Sequence, residues 1–286
     1  MVNTIGNPLT YAAGIFGRGS RHIGDGVTEL GSHDAAPIEV RRLQVADLTF
    51  ALRHGWDDFT AMRTDVIFIV LVYPVIGLLL TAVALNRDLV PLVFPMISGF
   101  ALLGPVFAVG LYEMSRRREA GKQVTWMDGF AVLGSSSFVP ILVLGIYLAV
   151  MFVLWMVIAL GLHGITMGPN QPETISGFLG DVFTTGPGWV MLIAGVGIGF
   201  VFAVVVLAIS VVSFPLLLDR HVGLARAVAA SIRVTRRNPR VVALWGLIVA
   251  AMLGLGVVTF FVGLIFVLPV LGHATWHLYR RAVARP

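Results

Sequence analysis

Long runs without a single charge dominate the chain. They cover 66–86, 89–112, 138–172, 182–218 and 241–279. A helix needs about 20 apolar residues to cross about 30 Å of hydrocarbon. The runs therefore predict membrane-spanning helices near 66–85, 90–112, 138–162 and 188–213. The last run, Val241 to Tyr279, holds 39 residues. That is too long for one crossing and enough for two, near 241–256 and 259–279, with a tight turn around Gly254 to Thr259.

The placement of charge supports this count. Basic residues cluster between the runs: Arg41, Arg42, Arg53 and Arg63; Arg116, Arg117, Arg118 and Lys122; six arginines between Arg220 and Arg240; and Arg280, Arg281 and Arg285. The link after the first span holds only Arg87, and 163–187 holds no Lys or Arg. Basic segments stay on the cytoplasmic side, so each must be separated from the next by two crossings. The expected fold is an all-α integral membrane protein with six transmembrane helices and both termini cytoplasmic. A flexible tail over 1–40 precedes one membrane domain over 41–286. The opening stretch does not read as a signal peptide, because no basic start leads into a short apolar core.

Between the runs lie amphipathic segments. One places Leu48, Leu52, Trp56 and Phe59 on a face. A weaker one lies near Val124 to Leu133, and another places Leu224, Val228 and Ile232 together. Apolar spacing of i, i+4, i+8 opposite charge predicts helices lying in the membrane interface. Each leads to a helix start, at Thr64–Asp65, Ser136–Ser137 and Asn238–Pro239, the last an N-cap followed by proline. The ends around Pro105–Arg117 and Pro269–Arg281 match in register, and Phe214–Arg220 resembles both. The chain thus reads as three units, each an interfacial helix plus a helical hairpin. The alternative is three ordinary hairpins with similar boundary signals.

Composition narrows the class. The chain is 57% hydrophobic and only 12% charged, against about 25% charged in soluble domains. Mean hydropathy is +0.91. These values exclude an ordinary soluble enzyme, a coiled coil and a disordered chain. Cysteine is absent, which excludes disulfides, iron–sulfur clusters and thiolate zinc. The net charge of +5 follows the membrane flanks and forms no separate basic domain, so no nucleic-acid partner is expected. The expected partners are the lipid bilayer, anionic lipid at the arginine-rich face, and another membrane protein.

Several stretches carry a resemblance. They are Pro74–Gly77, Gly99 to Pro105, Gly110 to Glu113, Ser213 to Arg220, and the closing Gly272-His273-Ala274-Thr275-Trp276-His277-Leu278-Tyr279. Over roughly Leu43 to Tyr279 the chain resembles a bacterial membrane-protein family, the domain of unknown function 2189 family. The resemblance implies a multi-pass protein of the bacterial inner membrane. The family has no established activity, so no catalytic residue and no cofactor is implied. Some members carry labels evoking a haem–copper oxidase, but this chain lacks the mid-membrane histidines of such a core.

The sharpest candidate chemistry is His273 and His277, at i and i+4 on one helix face. Aligning the three helix ends puts Glu113 and Asp219 at similar depth, with His221 nearby. Imidazole plus carboxylate suits zinc, iron or manganese, and the metal candidates are His273, His277 and Glu113. The favoured reading is an interfacial polar cluster that bonds helix ends and pairs with Arg116 or Arg220, an imidazole satisfying a helix-end carbonyl or pairing with Glu113. Gly195, Gly199 and Ala203 form a small-residue packing stripe. Pro74, Pro95, Pro105, Pro140, Pro215 and Pro269 read as kinks, and the tryptophans and tyrosines near span ends as an aromatic belt. No ionisable residue lies at the centre of any expected span, where pumps and proton-coupled carriers usually keep one. Three functions stay open: a non-catalytic scaffold, assembly or regulatory factor, which is favoured; a carrier or lipid-handling protein for a neutral or amphiphilic substrate; and a metal-dependent membrane enzyme.

Overall fold

The computed structural model describes residues 38–62, 87–168, 174–259 and 262–285. Among them the backbone is helical apart from turns and one antiparallel bridge between Val40 and Val283. Four stretches are long and apolar enough to cross a membrane: Val90–Glu119, Phe138–Thr166, Gly186–Asp219 and Pro239–Val258. The span expected near 66–85, the interfacial start at Thr64–Asp65 and the first 37 residues of the tail lie outside the described residues. The span expected near 259–279 is a helix, Leu264–Ala282. It does not match the other four in apolar length, because its second half carries His273, His277, Arg280 and Arg281.

The helices are α1 Val45–Ala61, α2 Val93–Phe100, α3 Gly104–Phe107, α4 Val109–Glu119, α5 Phe138–Thr166 and α6 Ile175–Thr184. Then come α7 Gly186–Ser210, α8 Ser213–Asp219, α9 Leu224–Arg237, α10 Pro239–Val258 and α11 Leu264–Ala282. Helix α10 ends at Val258 with Thr259 as its C-cap, within the stretch Gly254 to Thr259 where the turn is expected. Gly254 lies inside α10 and has open space around it. The close approach is at Gly256, where a Cβ would strike the Leu264 side chain. The Thr259 hydroxyl then accepts from the Gly263 backbone N–H at 2.9 Å.

Prolines shape the first of the four stretches. Pro91, Pro95 and Pro105 remove backbone donors, and this stretch is a chain of pieces: 3-10 turns at Arg87–Leu92 and Ala101–Leu103 alternate with α2, α3 and α4. The carbonyl of Pro95 receives the Trp155 indole N–H from α5 at 2.9 Å. A Cβ on Gly99 would lie 2.6 Å from the Phe152 ring, so that glycine is what lets α2 approach α5. On the other side of α5, a Cβ on Gly199 of α7 would touch the Trp155 ring at 3.1 Å. The expected packing role of the Gly195–Gly199 stripe is thus met by a bulky partner on α5. Ile146, Val150, Val153 and Val157 of α5 and Ile193, Val196, Phe200 and Val204 of α7 point outward, as lipid-facing side chains do.

The helices expected to lie in the interface pack on protein along one face. In α1 the buried face is Leu48, Ala51, Gly55 and Asp58, while Trp56 is 51% exposed. Of the expected face Leu48, Leu52, Trp56 and Phe59, Leu48 is buried, Leu52 and Phe59 are half-buried and Trp56 is turned outward, because α1 lies against α11 through small residues. A Cβ on Gly55 would stand 2.7 Å from the Ala274 nitrogen and the Val270 carbonyl oxygen. In α9 the buried face is Ala227, Ala230, Ser231 and Val234, with Leu224, Val228 and Ile232 only half-buried. The middle segment is a 3-10 helix, Trp126–Gly134, started by a capping box between Thr125 and Asp128. The link 163–187 holds a helix the periodicity did not reveal, α6, capped by the Thr174 hydroxyl on the Gly177 N–H.

The chain near Ile38 is part of the ordered domain, although the sequence places a flexible tail up to 40. The Arg41 N–H donates to the Ala282 carbonyl at 2.8 Å, and the Ala284 N–H to Glu39 at 3.0 Å. Asn238 stands at the N-cap of α10 with Pro239 behind it, as expected, but its side chain makes no cap bond. Its Oδ1 accepts from the Leu43 N–H at 2.8 Å, and its Nδ2 donates to the carbonyls of Arg41 and Val234. The expected helix start at 238 is therefore also the peg on which residues 41–43 hang.

Candidate functional site

The densest polar chemistry lies where α1, α4 and α11 meet. His273 and His277 share a face of α11, as their spacing requires. His273 is fully buried. Its Nδ1 lies 2.8 Å from the Ser115 hydroxyl of α4. Ser115 gives its single hydroxyl proton to Asp58 Oδ2 at 2.5 Å, so His273 Nδ1 is the donor to Ser115. The same Asp58 oxygen accepts from His277 Nε2 at 2.9 Å. Arg118 completes the arrangement, donating to Asp58 Oδ1 at 2.6 Å and to the Asp57 carbonyl at 2.8 Å. The His54 ring stands 5.4 Å from that of His277, centroid to centroid.

Asp58 is thus the hub of a three-helix clasp. Burial alone would raise its carboxyl pKa. Hydrogen bonds from His277 and Ser115, and electrostatic attraction to the His273 and His277 rings, outweigh burial and hold it below its ordinary value. At the edge of the same region Asp128 is also held below the usual carboxylate value, chiefly by the Thr125 backbone N–H.

The other expected site residues are arranged differently. Glu113 is 2% exposed and does not reach either histidine. It accepts from Arg116 Nε and Nη2 at 2.7 and 2.9 Å and from Arg117 Nε at 2.7 Å. Arg117 continues to Asp128. The pairing with Arg116 matches the expectation, whereas the imidazole of His277 goes to Asp58. Asp219 accepts from the Tyr279 hydroxyl at 2.6 Å and from Arg280 at 3.0 Å. His221 lies 3.4 Å from the Ser136 hydroxyl. Among the described residues, no group of three or more His, Asp or Glu is placed to hold a metal ion.

Two more pairings tie α11 to its neighbours. Glu119 of α4 accepts from the Trp276 indole at 3.0 Å and from Arg280 at 3.2 Å, and also pairs with Arg285. Asp47 of α1 accepts from Arg281 at 2.6 Å. Asp58, Ser115 and Arg118 escaped the sequence reading. The signal that would have found Asp58 is the stripe 48, 51, 55, 58, in which small residues precede an acid on the buried face. In chemical terms the clasp joins helices by charge-assisted bonds, and it places a buried Asp–Ser–His chain between them.

No curated protein matches the chain, and no solved structure does. The family match leaves out α1, α9, α10 and α11, and with them the closing string around His273 and His277 that also carries the resemblance. Residues 93–219, which hold the broken helix, α5, α7, α8 and the Ser115–Arg118 side of the clasp, match the family described as "Predicted integral membrane protein (DUF2189)", the family that the sequence resembles.

Proposed function

We propose that this chain is a non-catalytic, multi-pass protein of the bacterial inner membrane that scaffolds, assembles or regulates other membrane proteins or lipids. In this reading the segment near 66–85 and α11 complete six crossings. Both termini and the α1, α4 and α11 clasp face the cytoplasm. The observation that carries the reading is the use of the acids at the clasp. Asp47, Asp58, Glu113, Glu119 and Asp219 are each bound by arginine or histidine of the same chain. Groups engaged in this way hold helices together and leave the broad apolar faces of α5 and α7 as the surfaces presented to lipid or to a partner.

Two measurements test this. Native purification after crosslinking in the source membrane is expected to retain a membrane-protein or lipid partner. Loss of the chain is expected to reduce the amount of that assembled partner. Unchanged partner levels would overturn the scaffold role. About one equivalent of zinc, iron or manganese per purified chain would put the metal-dependent enzyme in its place.

Topology is tested separately, and the absence of native cysteine makes the experiment clean. A cysteine at Ile175 is expected to react with a membrane-impermeant maleimide in intact spheroplasts. One at the exposed Ala229 of α9 is expected to stay unlabelled until the membrane is opened. Equal labelling of both would overturn the six-span arrangement.

A further inference from the structure

The basic rim is not uniform. Arg116, Arg117, Arg118, Arg280, Arg281 and Arg285 are each neutralised by a carboxylate of the same chain. Arg233, Arg236 and Arg237, on the last two turns of α9, are exposed, and no carboxylate among the described residues forms an ion pair with them. They line a cleft of about 540 Å³ whose other wall is Ile38, Glu39 and Val40. Glu39 is the one acid in that lining, so the cleft carries surplus positive charge. Asn238 extends the patch, because it holds the 41–43 backbone against the end of α9 and so brings Arg41 and Arg42 to the same edge.

Position fixes what such charge can meet. Arg237 is followed within two residues by Pro239, the first residue of an apolar helix long enough to span a membrane. The guanidinium groups therefore stand at the depth of lipid headgroups. A guanidinium presents a planar fork of donors that matches two oxygens of a phosphate. We infer that the cleft between residues 38–40 and α9 binds the phosphate of an anionic phospholipid headgroup through Arg233, Arg236 and Arg237. This deepens the membrane reading above, on which it rests for the depth of the site.

Each arginine near an anionic surface contributes about 1 kcal/mol at low salt, so three together carry about a hundredfold in affinity. The full-length chain in a neutral detergent is titrated with short-chain phosphatidylglycerol, phosphatidylcholine and inorganic phosphate, with binding read by native mass spectrometry. Phosphatidylglycerol is expected to bind at least about tenfold more tightly than phosphatidylcholine. The triple variant Arg233→Gln, Arg236→Gln, Arg237→Gln is expected to lose about ten- to a hundredfold of that affinity. Arg53→Gln, at an exposed position of α1, is expected to keep it. Wild-type affinity for phosphatidylglycerol is also expected to fall as salt rises, a readout that needs no variant. Equal binding of the two lipids, an unchanged triple variant or a flat salt response would overturn the proposal. Inorganic phosphate binding as tightly as the lipid would overturn the lipid source. Because the purified chain alone is used, a failed scaffold role leaves this result intact, and lost headgroup binding leaves partner retention intact.

Discussion

Asp58→Ala is expected to destabilise the detergent-solubilised protein by about 3–5 kcal/mol, the cost of breaking a buried charge pair by removing one partner. The carboxylate accepts from Ser115, His277 and Arg118. Its removal leaves Ser115 and His277 without their acceptor at a largely buried site. Asp58→Asn keeps the shape and one acceptor oxygen, and is expected to lose less. The thermal unfolding midpoint reads both. The sign of the pH dependence follows from the lowered pKa of this carboxyl in the folded protein. Its contribution is complete above the unfolded value of about 3.9 and disappears as pH falls through the lower folded value. The gap between wild type and Asp58→Ala is therefore expected to hold at pH 5 and above and to narrow below about pH 4. A variant as stable as wild type at neutral pH, or a gap that widens below pH 4, would sink the clasp.

Gly55→Leu is expected to cost about 3 kcal/mol, the upper end for overpacking. The added Cβ would meet the Ala274 nitrogen and Val270 carbonyl oxygen at 2.7 Å and the Ala274 Cβ at 2.8 Å. Backbone atoms cannot swing aside as a side-chain end can. The strain can be relieved only by moving α1 off α11, which pulls on the Asp58–His277 and Asp47–Arg281 pairs. Gly254→Ala is the control. Its Cβ would meet nothing within 4 Å, and alanine favours a helix over glycine by up to about 1 kcal/mol. Equal unfolding midpoints for Gly55→Leu and wild type would show that the two helices do not cross this closely.

The spans were legible because hydropathy over 20 residues is a property of local sequence. Phe138–Thr166, Gly186–Ser210 and Pro239–Val258 fall close to where the charge-free runs place them. The orientation of α1 was not legible. Leu52, Trp56 and Phe59 outweigh Ala51 and Gly55 in any hydrophobic count, yet small residues are what allow two backbones to meet. Helix α6 was hidden for a related reason, since its ten residues are flanked by threonine and glycine and carry one charge, Asp181. At the candidate site, the helical spacing of His273 and His277 was readable and their partners were not. Asp58 lies 219 residues from His277 and 57 from Ser115, and no local pattern connects positions so far apart. Glu113, by contrast, finds Arg116 and Arg117 within one turn of its own helix, a distance over which sequence is a sufficient guide.

The strap of residues 38–43 and the docking of α1 on α11 set an order of events during synthesis. When α1 leaves the ribosome, the acceptors for its buried face do not yet exist, because Val270, Ala274 and His277 are more than two hundred residues away. Until they arrive, Asp47 lacks Arg281 and Gly55 lacks its close neighbours, Asp58 has at most its α4 partners Ser115 and Arg118, and the amides of Arg41 and Leu43 lack their native acceptors. Joining positions so distant in sequence is slow, because the loop-closure entropy comes first. The incomplete chain thus displays an acidic, small-residue helix face that vanishes on completion.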